Sequence, residues 1–226
     1  MKTLAAVASC LMFTATACIQ AQGKTARVLH VSEIISLPGV MGGFDHFAYH
    51  SRRNQLYLAA EDHGTVEVID LNKGRRVGRI TGFKNPHSIL FRPGAPTLLI
   101  TDSGPESSAL VDAATRKRVR TVKLAPGANC VLFDPERKVV YVTAGGDRVG
   151  EKTSTLQAVD PATGRVLKSV QVDALHLQPM ALDAKTDRLI VNLADENAIE
   201  IYNSRHAYSH RNLADSHREP KFAHCL

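Results

Sequence analysis

The stretch Gln55–Arg76, QLYLAAEDHGTVEVIDLNKGRR, decides how this chain is read. It runs apolar segment, polar hairpin, apolar segment, Asp, basic turn. The same order returns as TLLITDSGPESSALVDAATRKR from Thr97 and as VVYVTAGGDRVGEKTSTLQAVDPATGR from Val139. A shorter copy, RLIVNLADENAIEIYN, begins at Arg188. Tyr57, Leu99, Tyr141 and Ile190 hold the same place in the copies, at steps of 42, 42 and 49 residues. Asp70, Asp112, Asp160 and Asn203 close the next apolar segment, at steps of 42, 48 and 43. A period of this length made wholly of strand signals predicts an all-β fold, a β-propeller of four-stranded antiparallel blades.

A blade packs through both faces, so its strands can be apolar on consecutive residues, as in Leu98-Leu99-Ile100 and Val139–Val142. The innermost strands are expected near Phe44–Tyr49, Ser88–Phe91, Cys130–Phe133 and Met180–Leu182. The blades then fall at about 44–83, 85–124, 128–172 and, incomplete, 178–203. Arg27–Leu37 ends Ser-Leu-Pro-Gly, much as the second blade ends Leu-Ala-Pro-Gly at Leu124–Gly127. It is therefore expected to be an outermost strand that completes the last blade. One outer strand, three full blades and three further strands make about four blades within residues 22–203.

Residues 1–21 have the form of a signal peptide: Lys2, an apolar run from Leu4 to Ala17, and Ile19-Gln20-Ala21 as a cleavage site. Export to the periplasm or outside the cell is expected. Ala15-Thr16-Ala17 before Cys18 offers a second reading, a lipid anchor on Cys18. No later run is long enough to cross a bilayer. Of the four cysteines, Cys130 reads as a small buried apolar residue, and no CxxC or disulfide framework is present. Residues 204–226 hold His206, His210, His217 and His224 without regular spacing or strand alternation and read as an irregular His-rich tail.

The formal charge of +6 gathers at the turns following the third strand of each blade: Lys73, Arg75 and Arg76, then Arg116, Lys117 and Arg118, then Arg165 and Lys168. In an exported protein this is read as a solvated surface, not a nucleic-acid site. Glu61, Asp62, Asp102, Glu106, Asp147, Asp195 and Glu196 fall at the turns between the second and third strands, on the opposite rim. The third blade carries an insertion at this turn, Gly145–Lys152, of the kind that carries recognition on a rigid scaffold, though it is read first as drift in a tolerant loop.

The loops entering each innermost strand point toward the axis. They carry Asp45-His46, His87, Asn129 and His176, with 41 residues from His46 to His87 and 42 from His87 to Asn129. Such a ring can hold a divalent metal on neutral imidazoles or an anion when protonated. The same side chains can instead cap inter-blade turns by hydrogen-bonding backbone groups. No other cofactor is expected. There is no phosphate loop, GxSxG or HExxH, and Asp134 and Asp183 lie on the far rim.

The units LYLAAEDHGTVEVIDLNKGR, LLITDS…ALVDAATRKR and VYVTAGG…AVDPATGR resemble the YVTN-type (YncE-like) β-propeller repeat family over roughly residues 27–203. Seven blades are usual in that family, and this chain departs from it with about four. The lack of Trp argues against the WD40 group. The fold hosts many functions. The leading expectation is an exported, non-enzymatic propeller that binds a protein or small ligand on its loop face. The alternatives are a metal-dependent hydrolase resembling propeller lactonases, which need Glu, Asp and Asn around a divalent ion, or a truncated product with no independent role.

Overall fold

A computed structural model describes residues 29–92 and 94–205. The leader, Cys18 and the four tail histidines lie outside these residues. By contacts the chain divides into two units, Met1–Ile34 and Ile35–Leu226. In the first, the described residues 29–34 carry no regular structure, and Leu29, Val31 and Ile34 are exposed. The described residues of the second form four antiparallel sheets and, apart from two short 3-10 turns, no helix.

The first sheet is β1 (Phe47–His50), β2 (Gln55–Ala60), β3 (Thr65–Asp70) and β4 (Arg75–Ile80). The second is β5 (Pro86–Phe91), β6 (Thr97–Asp102), β7 (Ala109–Asp112) and β8 (Arg118–Thr121). The third is β9 (Val131–Asp134), β10 (Val139–Gly145), β11 (Ser154–Val159) and β12 (Val166–Val172). The fourth has three strands, β13 (Leu177–Asp183), β14 (Arg188–Leu193) and β15 (Ala198–Asn203). In every sheet the strands follow chain order, and the first strands touch in succession: β1 with β5, β5 with β9, β9 with β13. This is a β-propeller arc of four blades, as the repeat predicts. Among the described residues no helix is long and apolar enough to cross a membrane.

One expectation is corrected. The described part of Arg27–Leu37 is not a strand, and among the described residues the fourth sheet has three strands. A strand needs a ladder to satisfy its backbone, and residues 35–40 find other contacts. Leu37 O accepts from Val40 N in a turn, and Pro38 O accepts from Arg76 Nη2.

Strand pleating explains the unbroken apolar runs. Leu98 and Ile100 face the first sheet beside Tyr57, Val66 and Val68, while Leu99 turns the other way to meet Val140 and Val142. Val139 and Tyr141 continue on to Leu189 and Val191 of the fourth sheet. Three apolar layers thus lie between four sheets. Tyr57 packs edge-on against Phe91 and donates to Ala113 O at 3.0 Å across the first junction.

The corners are local. Asp70 accepts from the N–H of Asn72 and Lys73, Asp112 from Ala114 and Thr115, and Asp160 from Ala162. Asp134 and Asp183 do the same two and three residues on. These side chains replace backbone partners that a tight turn removes. The basic turns are only partly a solvated rim. Arg116 reaches back to Val77 O, and Arg118 bonds Gly82 O with its guanidinium 5.2 Å from the centre of the Phe83 ring.

Candidate functional site

The loop face is held by the acidic turns. Asp62 accepts from Gly43 N at 2.6 Å, just before Asp45. Asp102 accepts from Lys84 and Asn85 N, just before His87, and Asp195 from Leu175 and His176 N. In three of the four sheets, therefore, one aspartate from the turn between second and third strands clamps the loop that enters the first strand. Capping of these loops does occur, but aspartates perform it, and the histidine rings are left for other contacts.

Asp45 is the hub. One carboxylate oxygen lies 2.5 Å from His46 Nδ1 and the other 2.6 Å from His87 Nδ1, so residues from two neighbouring sheets share one acid. His87 is fully buried, and its Nε2 has no hydrogen-bond partner. Burial alone would raise the Asp45 carboxyl, but the bonds from His46 and His87 outweigh it and hold it well below the usual range. The Asp45 carboxylate, assisted by a hydrogen bond with Cys130, pushes His46 up to about 10. His46 therefore carries a proton at neutral pH.

Glu61, at the start of the β2–β3 turn, stands 3.7 Å from His87 Nδ1 and 3.5 Å from Arg148 Nη1. Ligand atoms of Asp45, Glu61 and His87 lie within 4.8 Å of one another, close enough to hold a cation between them. Arg148 comes from the third-sheet insertion, which forms a 3-10 turn over Gly146–Val149. It also lines a shallow cleft with Asn129, Thr143, Ser154 and His176, and His176 Nδ1 lies 3.3 Å from Asp147.

The five sequence-predicted residues thus fall into two linked groups. Asp45, His46 and His87 make direct contact, while Asn129 and His176 line the neighbouring cleft, with Arg148 joining the two. Cys130 is buried, as expected, and its Sγ lies 3.8 Å from Asn129 Oδ1. His63 is a turn residue whose N–H bonds Ala60 O. Glu61 and Arg148 went unforeseen. Glu61 is one of several acids at its turn, and Arg148 sits in the insertion, where the repeat offers no aligned sibling.

No family model matches the sequence, and no curated protein matches it. Solved structures do. A chain of hydrazine synthase from Kuenenia stuttgartiensis superposes with a TM-score of 0.57 at 19% identity, over 64% of this chain and 42% of that one. The chain therefore spans less than half the length of that relative. The computationally designed protein Ika4 gives 0.59 at 15% identity, over 77% of this chain and 99% of its own. The designed Ika8 gives 0.54 at 16%, over 74% of this chain and 48% of its own. At these identities the likeness concerns the fold.

Proposed function

We propose that this is an exported, non-enzymatic binding propeller of the YVTN type whose loop face takes a polar small ligand or a peptide group. The carrying observation is the convergence of His46, Asp45, His87, Glu61 and Arg148 from three sheets. Two cationic groups, His46 and Arg148, stand beside two acids, Asp45 and Glu61. That balance suits a ligand that donates to Glu61 and accepts from Arg148, such as one bearing both an amine or hydroxyl and a carboxylate. Rigid loops on a sheet scaffold are where recognition is placed.

The test is retention of species from a periplasmic extract on immobilised protein, with native mass spectrometry of the eluate. A species held by wild type and lost by Glu61→Gln and by Arg148→Ala supports the reading. Nothing retained, or equal retention by all three proteins, removes it.

A second reading, a metal-dependent hydrolase, is favoured by the cluster of Asp45, Glu61 and His87. The guanidinium of Arg148 beside Glu61 opposes a further cation there, which is why binding is placed first. Elemental analysis together with lactone turnover separates the two. A stoichiometric divalent metal with turnover would reverse the order.

A further inference from the structure

Each junction between sheets is built the same way, with one face of a sheet against the opposite face of the next. Two faces are left over at the ends of the arc, and the repeat identifies them. On the first sheet, Phe47 pairs with Leu58 as Ile89 pairs with Ile100, and Tyr49 pairs with Leu56 as Phe91 pairs with Leu98. Ile89, Leu98 and Ile100 are buried against the preceding sheet, with Phe91 packed beside them. Phe47 and Tyr49 hold the equivalent places and remain 65% and 51% exposed.

On the fourth sheet, Asn203 aligns with Asp70, so Ile199 and Ile201 are the counterparts of Val66 and Val68. Those valines are fully buried against the following sheet, while Ile199 and Ile201 are 61% and 55% exposed. The ends of the arc are therefore the two complementary halves of an interface that the chain already makes three times. Because both halves are exposed in one structure, the described residues do not join their own ends.

We infer that two copies of this chain join head to tail. The Phe47–Tyr49 face of each packs on the Ile199–Ile201 face of the other, giving a closed two-fold ring of eight sheets. A heterologous contact closes when the rotation it generates sums to a full turn, and two identical junctions then bury all four open faces. The occupant of each face is thus a second copy of the same chain, whatever the loop face binds.

The full chain is tested by light scattering behind size exclusion and by sedimentation velocity. Wild type is expected at twice the chain mass. Phe47→Glu and Ile201→Glu place a charge in the junction, and each raises the dissociation constant more than roughly 100-fold, yielding a monomer with unchanged circular dichroism. Mixing the two variants restores one intact junction per pair, so a mixed dimer forms where neither variant dimerises. Wild type at monomer mass, polymers that lengthen with concentration, or a mixture no more associated than its components overturns the proposal. The wild-type mass decides the matter even if a variant fails to fold.

Discussion

Asp45→Asn isolates the hub of the loop face. The asparagine keeps the shape and can still accept a hydrogen bond, but it removes the charge that His46 and His87 share. With the carboxylate gone, His46 should fall from about 10 toward 6.5. Because His46 is half-exposed, its pairing with Asp45 contributes only about 1 kcal/mol to folding. Loss of charge assistance to the buried His87 adds about 1 kcal/mol. The raised His46 contributes stability that is fully present below 6.5 and is lost as pH rises through about 10. The lowered Asp45 contributes stability that is present above 3.8 and lost as pH falls through its depressed native value. Wild type and variant should therefore differ most between pH 3.8 and 6.5 and converge in part toward 10. Histidine ring nitrogens followed by two-dimensional NMR give the titration, and urea unfolding at several pH values gives the stability. A wild-type His46 that titrates near 6.5, or one that Asp45→Asn leaves unmoved, refutes the pairing.

Three further outcomes follow from the same packing. Glu67 is fully buried and accepts from Thr65 Oγ1, Arg76 and Arg79 at 2.7, 3.0 and 2.6 Å. Burial pushes its carboxyl up, but those bonds outweigh it, so its contribution is present above 4.5 and lost as pH falls through its lower native value. Glu67→Gln should cost about 2 kcal/mol in urea unfolding at pH 7, and much less in acid. Leu99→Ala empties a fully buried position between the second and third sheets, and calorimetry should show a loss of about 3 kcal/mol. Gly146 has φ +71°, and a Cβ there would sit on the Leu175 carbonyl oxygen. Gly146→Ala should therefore lower stability by at least about 2 kcal/mol and shift the NMR signals of Leu175 and His176.

The sheets were legible because position and packing repeat together. Tyr57, Leu99 and Tyr141 lie at one place in the sequence and in one kind of apolar layer. Asp70, Asp112 and Asp160 mark corners because the short side chain meets its own turn's N–H groups, a local interaction that a single sequence carries. The failure at Arg27–Leu37 is of another kind. Whether an apolar stretch becomes a strand depends on a partner edge, and alternation does not say whether one is within reach. At the site, period located Asp45, His46 and His87, since equivalent residues of stacked sheets converge. It could not locate Arg148, which an aperiodic insertion delivers, nor the loop-clamping role of Asp62, Asp102 and Asp195. Those bonds join the two ends of a sheet's inner hairpin and depend on register more than on spacing.

The aspartate corners carry a kinetic consequence. Each is completed by groups two or three residues apart, so closing it costs little chain entropy and waits for no neighbouring sheet. Folding can nucleate at any of these hairpins and spread outward as each new sheet finds a wetted apolar face to cover. During synthesis, every module can begin to organise as its corner emerges, well before the arc is long enough to bury its own layers.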